Sequence, residues 1–386
     1  MIPLFILEFA CLMNFSSKPF LALAPMAGIT DSAFRLICRE NGADLVYSEM
    51  ANVSALYHRS AKTLELLKFS QAERPYIIQL FGKEPKHFTY AAQLLSKKGA
   101  PQINYRNPKR QLGFQPPDGL DINFGCPAKK VFNNGSGLAL WLQPKLAQKI
   151  IRSVVQSTRL PVSIKTRIGL EIPERLRQTK NILDLPDFLK SLKINELGLS
   201  SIMLHGRTYK QGFTGPINYQ AILRAKQYFS GTILANGNIK TPKIAEQTLK
   251  ETQAQGLGIA TGAYGQPEIF KLIKKRLDLT KPDPKLFTES QDKNRQGRKL
   301  LLNFLDQKIT LALRHAHYVD LLKPTKGIIQ FRKHLLWYFK GLPDIKKLYP
   351  LLTQVQTFSQ VKSALAQIKK TMIKQKNFIN GEKSIG

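Results

Sequence analysis

The sequence predicts a (β/α)8 TIM barrel of the α/β class, followed by a smaller all-α helical domain. Three observations predict it. Short apolar runs alternate with longer helical patterns eight times between Phe20 and Leu277, as a parallel sheet with crossover helices requires. Seven of the runs end in polar or glycine residues. A closed barrel gathers such ends on one face, whereas an open sheet collects them only in the crevice at its switch point. After about Lys281 the alternation stops, and helical periodicity alone continues to Lys376.

In chain order, Phe20–Leu23 is a strand followed by a helix over Asp31–Asn41, and Leu45–Tyr47 a second strand followed by a less regular segment to Phe69. Tyr76–Leu80 leads to a helix over Glu84–Ser96, and Leu120–Asn123 to one over Pro144–Ser157. Val162–Lys165 precedes a helix near Asp187–Glu196, and Ile202–His205 one over Tyr219–Tyr228. Ile233–Asn236 precedes Thr241–Ala254, and Leu257–Thr261 precedes Glu268–Leu277. Two stretches exceed a minimal barrel. Residues 101–117 are rich in Pro, Asn and Arg and too long for an ordinary αβ loop. They read as a surface insertion on the face opposite the strand C-termini, with Arg106, Lys109 and Arg110 as its basic residues. Glu171–Pro186 is an extended loop on the face where the polar ends converge.

The domains expected are thus an N-terminal extension over 1–17, a barrel over 18–280, a helical domain over 281–376 and a tail over 377–386. The apolar run Ile2–Leu12 lacks a basic flank, contains Glu8 and is too short to span a bilayer. Met13 is the more natural start. Cys11, Cys38 and Cys126 are too few and too scattered for a disulfide framework or a zinc cluster, so no metal and a reducing cytoplasm are expected.

Charge points to a polyanion. The chain carries 59 Lys and Arg against 26 Asp and Glu, a net +33. Residues 271–386 hold 25 basic and 8 acidic residues, a net +17 that is half of the excess. Arg295, Arg298, Lys299, Arg314, Lys323, Lys326, Arg332 and Lys333, interleaved with Tyr318, Phe331, Trp337, Tyr338 and Phe339, suit phosphate contacts on a folded nucleic acid. Trp337 and Phe339 read as core of the small domain.

The chemistry centres on Gly119-Leu120-Asp121-Ile122-Asn123-Phe124-Gly125-Cys126-Pro127, which runs on to Gly135-Ser136-Gly137. Leu120 and Ile122 alternate with Asp121 and Asn123 as in a strand, and the strand ends at a glycine. Cys126 therefore sits at the barrel mouth, on a rigid element yet open to whatever binds there. Around it fall Pro25-Met26-Ala27-Gly28, Gln79, Lys165 with Arg167, His205 with Arg207, Asn236-Gly237-Asn238 and Gly262. Each alone has an ordinary structural explanation. Their convergence on one face does not.

Several of these stretches together resemble the tRNA-dihydrouridine synthases, in particular their bacterial B-type branch. The matching text is Leu23-Ala24-Pro25-Met26-Ala27-Gly28-Ile29-Thr30-Asp31, Gln79-Leu80-Phe81-Gly82, Asp121 to Pro127, Lys165-Thr166-Arg167, His205-Gly206-Arg207-Thr208, Asn236-Gly237-Asn238-Ile239 and Arg332 to Pro343. The resemblance implies bound FMN across the strand C-termini. Pro25, Met26 and Ala27 would lie beneath its ring, Gln79 and Lys165 at the ring's polar edge and His205 beside it. Asn236, Gly237, Asn238, Gly262 and Ala263 would hold the ribityl chain and phosphate. It further implies reduction of a uracil C5–C6 double bond in tRNA, with hydride from flavin N5 to C6, Cys126 as proton donor to C5 and NADPH as transient reductant. Asn123, Arg167 and Arg207 would hold substrate, the helical domain would grip tRNA, and a monomer is expected.

In two places the sequence departs from the family pattern. Ala260-Thr261 stands where the family usually shows a Gly-Arg pair, which predicts retained but looser flavin binding. Phe213 stands where many relatives carry tyrosine, removing a hydrogen bond near the base. The alternatives are a flavin barrel acting on a free pyrimidine or dihydroorotate, which would not need so basic a tail, and a degenerate RNA-binding relative.

Overall fold

The computed structural model describes residues 19–104, 106, 111–171, 182–278, 293–324 and 326–374, with the side chains of 111, 182, 278 and 293–300 excepted. The expected extension and tail, residues 279–292, and Lys109 and Arg110 lie outside the described residues, as do the side chains of Arg295, Arg298 and Lys299.

Eight parallel strands close a barrel: β1 (Phe20–Leu23), β2 (Leu45–Asn52), β3 (Tyr76–Phe81), β6 (Gly119–Phe124), β7 (Val162–Arg167), β10 (Ser201–His205), β11 (Thr232–Asn236) and β12 (Gly256–Ile259). The remaining four strands form two hairpins. β4 (Ala100–Ile103) pairs antiparallel with β5 (Gln111–Gln115), and β8 (Gly169–Glu171) with β9 (Ile182–Asp184). The first hairpin starts one residue before the expected insertion and otherwise falls in it, where proline and asparagine masked the strand pattern.

Side-chain alternation sorts each barrel strand into two faces. On β6, Leu120, Ile122 and Phe124 join the core between sheet and helices, so the period of two turns Asp121 and Asn123 inward. A smaller interior cluster of Phe20, Ala22, Leu45, Tyr47, Ile77, Met203 and Leu234 plugs the barrel. Above this plug the inward positions are polar: Gln79, Asn123, Lys165, Arg167, His205 and Asn236. Register sets them side by side, with Gln79 opposite Asp121, Asn123 opposite Lys165 and Arg167 opposite His205.

β2 runs five residues beyond the expected strand and is followed by two short helices, Val53–Tyr57 and Ala61–Leu66, capped by Asn52 and Ser60. A register shift between Tyr47 and Met50 explains why the apolar pattern breaks at Ser48-Glu49. The Ser48 hydroxyl accepts from the Gln79 backbone N–H at 2.9 Å, which satisfies the irregular ladder. The helix expected near Asp187–Glu196 divides into Leu185–Ser191, capped by Asp184, and a separate turn at Ile194–Glu196, the break falling at Lys193 with φ 48°.

The helical region comprises Lys293–Leu322, Gly327–Phe339, Tyr349–Thr353 and Phe358–Lys374. It docks on the first barrel helix, α1 (Ser32–Glu40), where Phe34 lies 5.5 Å from the His315 ring and 5.1 Å from the His334 ring. Arg314 pairs with Glu40 at 2.5 Å, Lys323 with Asp31 at 2.8 Å and Lys308 with Glu268 at 2.6 Å. Trp337 is half-buried and stacks on Tyr264, ring centroids 4.0 Å apart. Gly265, at φ +66°, permits this approach, since a Cβ there would lie 2.2 Å from the Trp337 backbone. Phe339 is buried core, as expected.

Candidate active site

The strand C-termini enclose one cavity of about 530 Å³. Fourteen of the fifteen expected site residues line it: Pro25, Met26, Ala27, Gln79, Asn123, Cys126, Lys165, Arg167, His205, Arg207, Asn236, Gly237, Asn238 and Gly262. Ala263 does not. It is fully buried, and its N–H closes a turn onto the Ala260 carbonyl at 2.9 Å, so the neighbouring Tyr264 reaches the cavity instead.

Cys126 is half-buried at the end of β6. Its backbone N–H and that of Gly125 both donate to Asn123 Oδ1, at 2.9 and 3.1 Å. Gly137 presses against it: at φ +63°, a Cβ there would lie 3.3 Å from both the Cβ and the carbonyl oxygen of Cys126. The Gly-Ser-Gly element thus braces the cysteine from behind. Below, a buried relay runs inward. Asn123 Nδ2 donates to Gln79 Oε1 at 2.9 Å, and Gln79 Nε2 donates to Asp121 Oδ2 at 2.7 Å. Ser163 Oγ donates to Asp121 Oδ1 at 2.6 Å.

Burial raises the Asp121 carboxyl to about 6, against the pull of Ser163, Gln79 and Lys165. Lys165 is pushed down to about 8 by burial and by Arg167, partly offset by Asp121 and Cys126. No hydrogen bond to its ammonium forms among the described residues, which leaves the charge facing the cavity. Burial, with Lys165, Arg167 and Arg207 around it, holds His205 neutral. Its Nδ1 is buried and meets no partner among the described residues.

The two arginines serve the walls. Arg167 donates from Nε to the Gly125 carbonyl at 3.2 Å and from Nη1 to those of Thr208 and Gly212, each at 2.8 Å. Arg207 donates from Nε and Nη2 to the Gly215 carbonyl at 2.9 and 2.7 Å. Phe213, 72% exposed, stands on the loop they hold, 5.4 Å from the Arg167 guanidinium. An exposed aromatic ring above a cation suits a nucleobase.

Met50, Pro127, Ala128, Ile239, Lys240, Ala260 and Thr261 also line the cavity. Met50 was hidden by the strand irregularity. Lys240 and Tyr264 each lie one or two residues past a recognised strand-end motif, where a wider window on those motifs finds them.

The cations proposed for phosphate divide. Arg314 and Lys323 are paired to the barrel, Arg332 donates to the carbonyls of Val355 and Gln354 at 2.7 and 3.2 Å, and Lys333 donates to the Gly28 carbonyl. Lys326 is exposed, and so are Lys340, Lys346, Lys362 and Lys370. Among the described residues no helix is long and apolar enough to cross a membrane.

The family profile described as Dihydrouridine synthase (Dus) matches residues 22–105 and 115–376. The chain is 32% identical over 345 residues to tRNA-dihydrouridine synthase B of Xanthomonas axonopodis pv. citri, covering 89% of this chain and 90% of that one. It is 32% identical over 336 residues to the protein of the same name from Pseudomonas syringae pv. tomato, covering 87% of each. A probable tRNA-dihydrouridine synthase 1 of Synechocystis is 29% identical over 346 residues, covering 89% of this chain and 84% of that one. Among solved structures, morphinone reductase aligns over 72% of this chain and 92% of its own, at a TM-score of 0.44 and 12% identity.

Proposed function

Because the chain belongs to the dihydrouridine synthase family, we propose that it reduces the C5–C6 double bond of uridines in tRNA, with FMN as bound cofactor and NADPH as transient reductant. The observation that carries this reading is that Cys126, Lys165 and His205 line one cavity at the strand C-termini.

The residues fit a flavin. A cavity of about 530 Å³ is within the usual range for a ligand of that size. The unpartnered His205 Nδ1 and the free-facing Lys165 ammonium supply polar contacts, while Pro25, Met26 and Ala27 add apolar lining for the ring. Gln79 and Lys165 would hold the ring's polar edge, and Asn236, Gly237, Asn238 and Gly262 the ribityl chain and phosphate. Bound FMN, recharged by NADPH, supplies a hydride for C6 of the uracil.

Cys126 supplies the other half of the reduction. Its Sγ–H donates a proton to C5, so one hydride and one proton add across the double bond, and the thiolate regains its proton from solvent. Asn123 fixes the backbone from which that thiol projects. Lys165 offsets negative charge at the ring edge, and neutral His205 contributes a hydrogen bond without adding charge. Arg167 and Arg207 set the walls that hold the base, and Phe213 stacks on it. The target base must leave its stack to enter so deep a cavity.

Residues 18–280, with the insertion at 101–117, form the catalytic domain in this reading, and 281–376 the tRNA-binding domain. Lys326, Lys340, Lys346, Lys362 and Lys370 give the latter a surface suited to phosphates. The enzyme works as a monomer in the cytoplasm. The test is NADPH oxidation with and without unmodified tRNA, together with a count of dihydrouridine in the product. We expect a yellow protein that releases FMN, tRNA-dependent turnover and new dihydrouridine. Turnover with free pyrimidine alone would favour the small-substrate alternative, and a colourless protein that binds only tRNA would favour the degenerate one.

A further inference from the structure

Four cations line the cavity, and three of them stand on its β7–β10 side. Lys165 and Arg167 belong to β7, and Arg207 lies just beyond β10. Lys240, after β11, is the one cation at the other end. Arg167 and Arg207 are committed to backbone carbonyls. Lys240 is exposed, and its ammonium meets no hydrogen-bond or ion-pair partner among the described residues.

Its backbone is held firmly. The turn after β12 packs so closely on it that a Cβ at Gly262 would lie 1.8 Å from the Ile239 carbonyl oxygen and 3.3 Å from Lys240 Cα. Gln266 Nε2 bridges the two loops, donating to the Lys240 carbonyl at 3.1 Å and the Gly262 carbonyl at 2.7 Å. These are the loops after the seventh and eighth barrel strands, where barrels of this class commonly bind phosphate. Thr261 lines the same end but brings only a hydroxyl.

We infer that Lys240 is the cation for the phosphate monoester of the flavin, supplying from the loop after β11 the charge that position 261 does not supply. The inference rests on the flavin reading above. Lys240 acts as a point charge with rotatable donors, so it reaches the phosphate oxygens from a different direction than a residue at 261 would. Binding is therefore not loosened by the neutral Ala260-Thr261 pair.

The experiment titrates the cofactor-stripped full-length chain with FMN and with riboflavin, which lacks the phosphate, following quenching of flavin fluorescence. Lys240→Gln should weaken FMN binding about 10- to 100-fold, as loss of a charge-assisted contact does, and leave riboflavin within about twofold. Adding Thr261→Arg to Lys240→Gln should regain most of the FMN affinity. Unaltered FMN affinity in Lys240→Gln, equal weakening of both ligands, or equal affinity of the parent chain for FMN and riboflavin would overturn the assignment and leave the flavin reading standing. A parent chain that binds neither ligand overturns both.

Discussion

Gln79 lies between Asp121 and Asn123 in a single amide orientation, with Nε2 on Asp121 Oδ2 at 2.7 Å and Oε1 on Asn123 Nδ2 at 2.9 Å. Both ends of the relay demand it. Ionised Asp121 can only accept, so Gln79 must turn its nitrogen down. Asn123 Oδ1 is already occupied by two backbone N–H groups at Gly125 and Cys126, so its nitrogen must turn toward Gln79. A buried carboxylate thus fixes, through two amides, the backbone that carries the proposed proton donor.

Asp121→Asn preserves the shape of that relay and removes its charge. Since the folded carboxyl titrates near 6, above its ordinary 3.8, ionisation is unfavourable in the folded state. The penalty is absent below pH 3.8, grows as pH rises and is complete above 6. At pH 8, Asp121→Asn should be more stable than the parent by about 1–3 kcal/mol in urea unfolding, and the gain should vanish near pH 4. Asp121→Ala should instead lose about 1–3 kcal/mol, because Gln79 Nε2 and Ser163 Oγ lose their acceptor. A parent chain more stable than Asp121→Asn at pH 8 would contradict this account.

Cys126→Ala removes a side chain at the cavity wall and leaves the Asn123 bonds to the 125 and 126 backbone in place. Flavin affinity and reduction of the flavin by NADPH should stay within about twofold, while dihydrouridine formation falls about 100- to 10,000-fold, the range general acid catalysis spans. Single-turnover assays on reduced enzyme separate the two steps. Full dihydrouridine formation in the variant would assign the proton to another group.

Lys165 should impose a pH limit on cofactor binding. Burial and Arg167 depress it to about 8 in the free chain, so the ammonium is present below that pH and lost above it. Log affinity for FMN should be flat from about pH 7 to 8 and then fall, approaching one decade per pH unit. Lys165→Met should bind more weakly throughout and show no break. A break that persists in Lys165→Met would place the titrating group elsewhere.

Much of this was legible in the sequence because strand periodicity and site placement obey the same rule. Leu120, Ile122 and Phe124 bury outward, so Asp121 and Asn123 had to face the barrel interior. Glycines and polar residues at the strand ends then had to meet at the mouth. Residues whose placement depends on distant partners were not legible. Met50 enters the cavity because of an irregular pairing between β2 and β3. Arg314 and Lys323 looked like phosphate ligands because Glu40 and Asp31, their partners, lie almost three hundred residues away. Ala263 and Tyr264 differ by one residue in a turn, too fine a distinction for pattern alone.

The helical region also supports the floor of the cavity. Pro25, Met26 and Ala27 belong to a tight loop in which Ile29 and Thr30 donate to the Met26 carbonyl at 3.1 and 3.0 Å. Two lysines of the helical region hold its far side: Lys333 donates to the Gly28 carbonyl, and Lys323 pairs with Asp31 at 2.8 Å. Burial raises the Asp31 carboxyl, but Lys323 outweighs it and holds the group well below the usual range. That contribution is present at neutral pH and is lost as pH falls below 3.8. Lys323→Met with Lys333→Met should therefore weaken FMN binding about three- to tenfold, although neither residue lines the cavity. If these lysines served only as tRNA phosphate ligands, tRNA affinity would drop and FMN affinity would not change. A fluorescence titration of FMN on the double variant at pH 7, set beside tRNA binding at two salt concentrations, decides between a lysine that holds RNA and one that holds the loop on which the flavin rests.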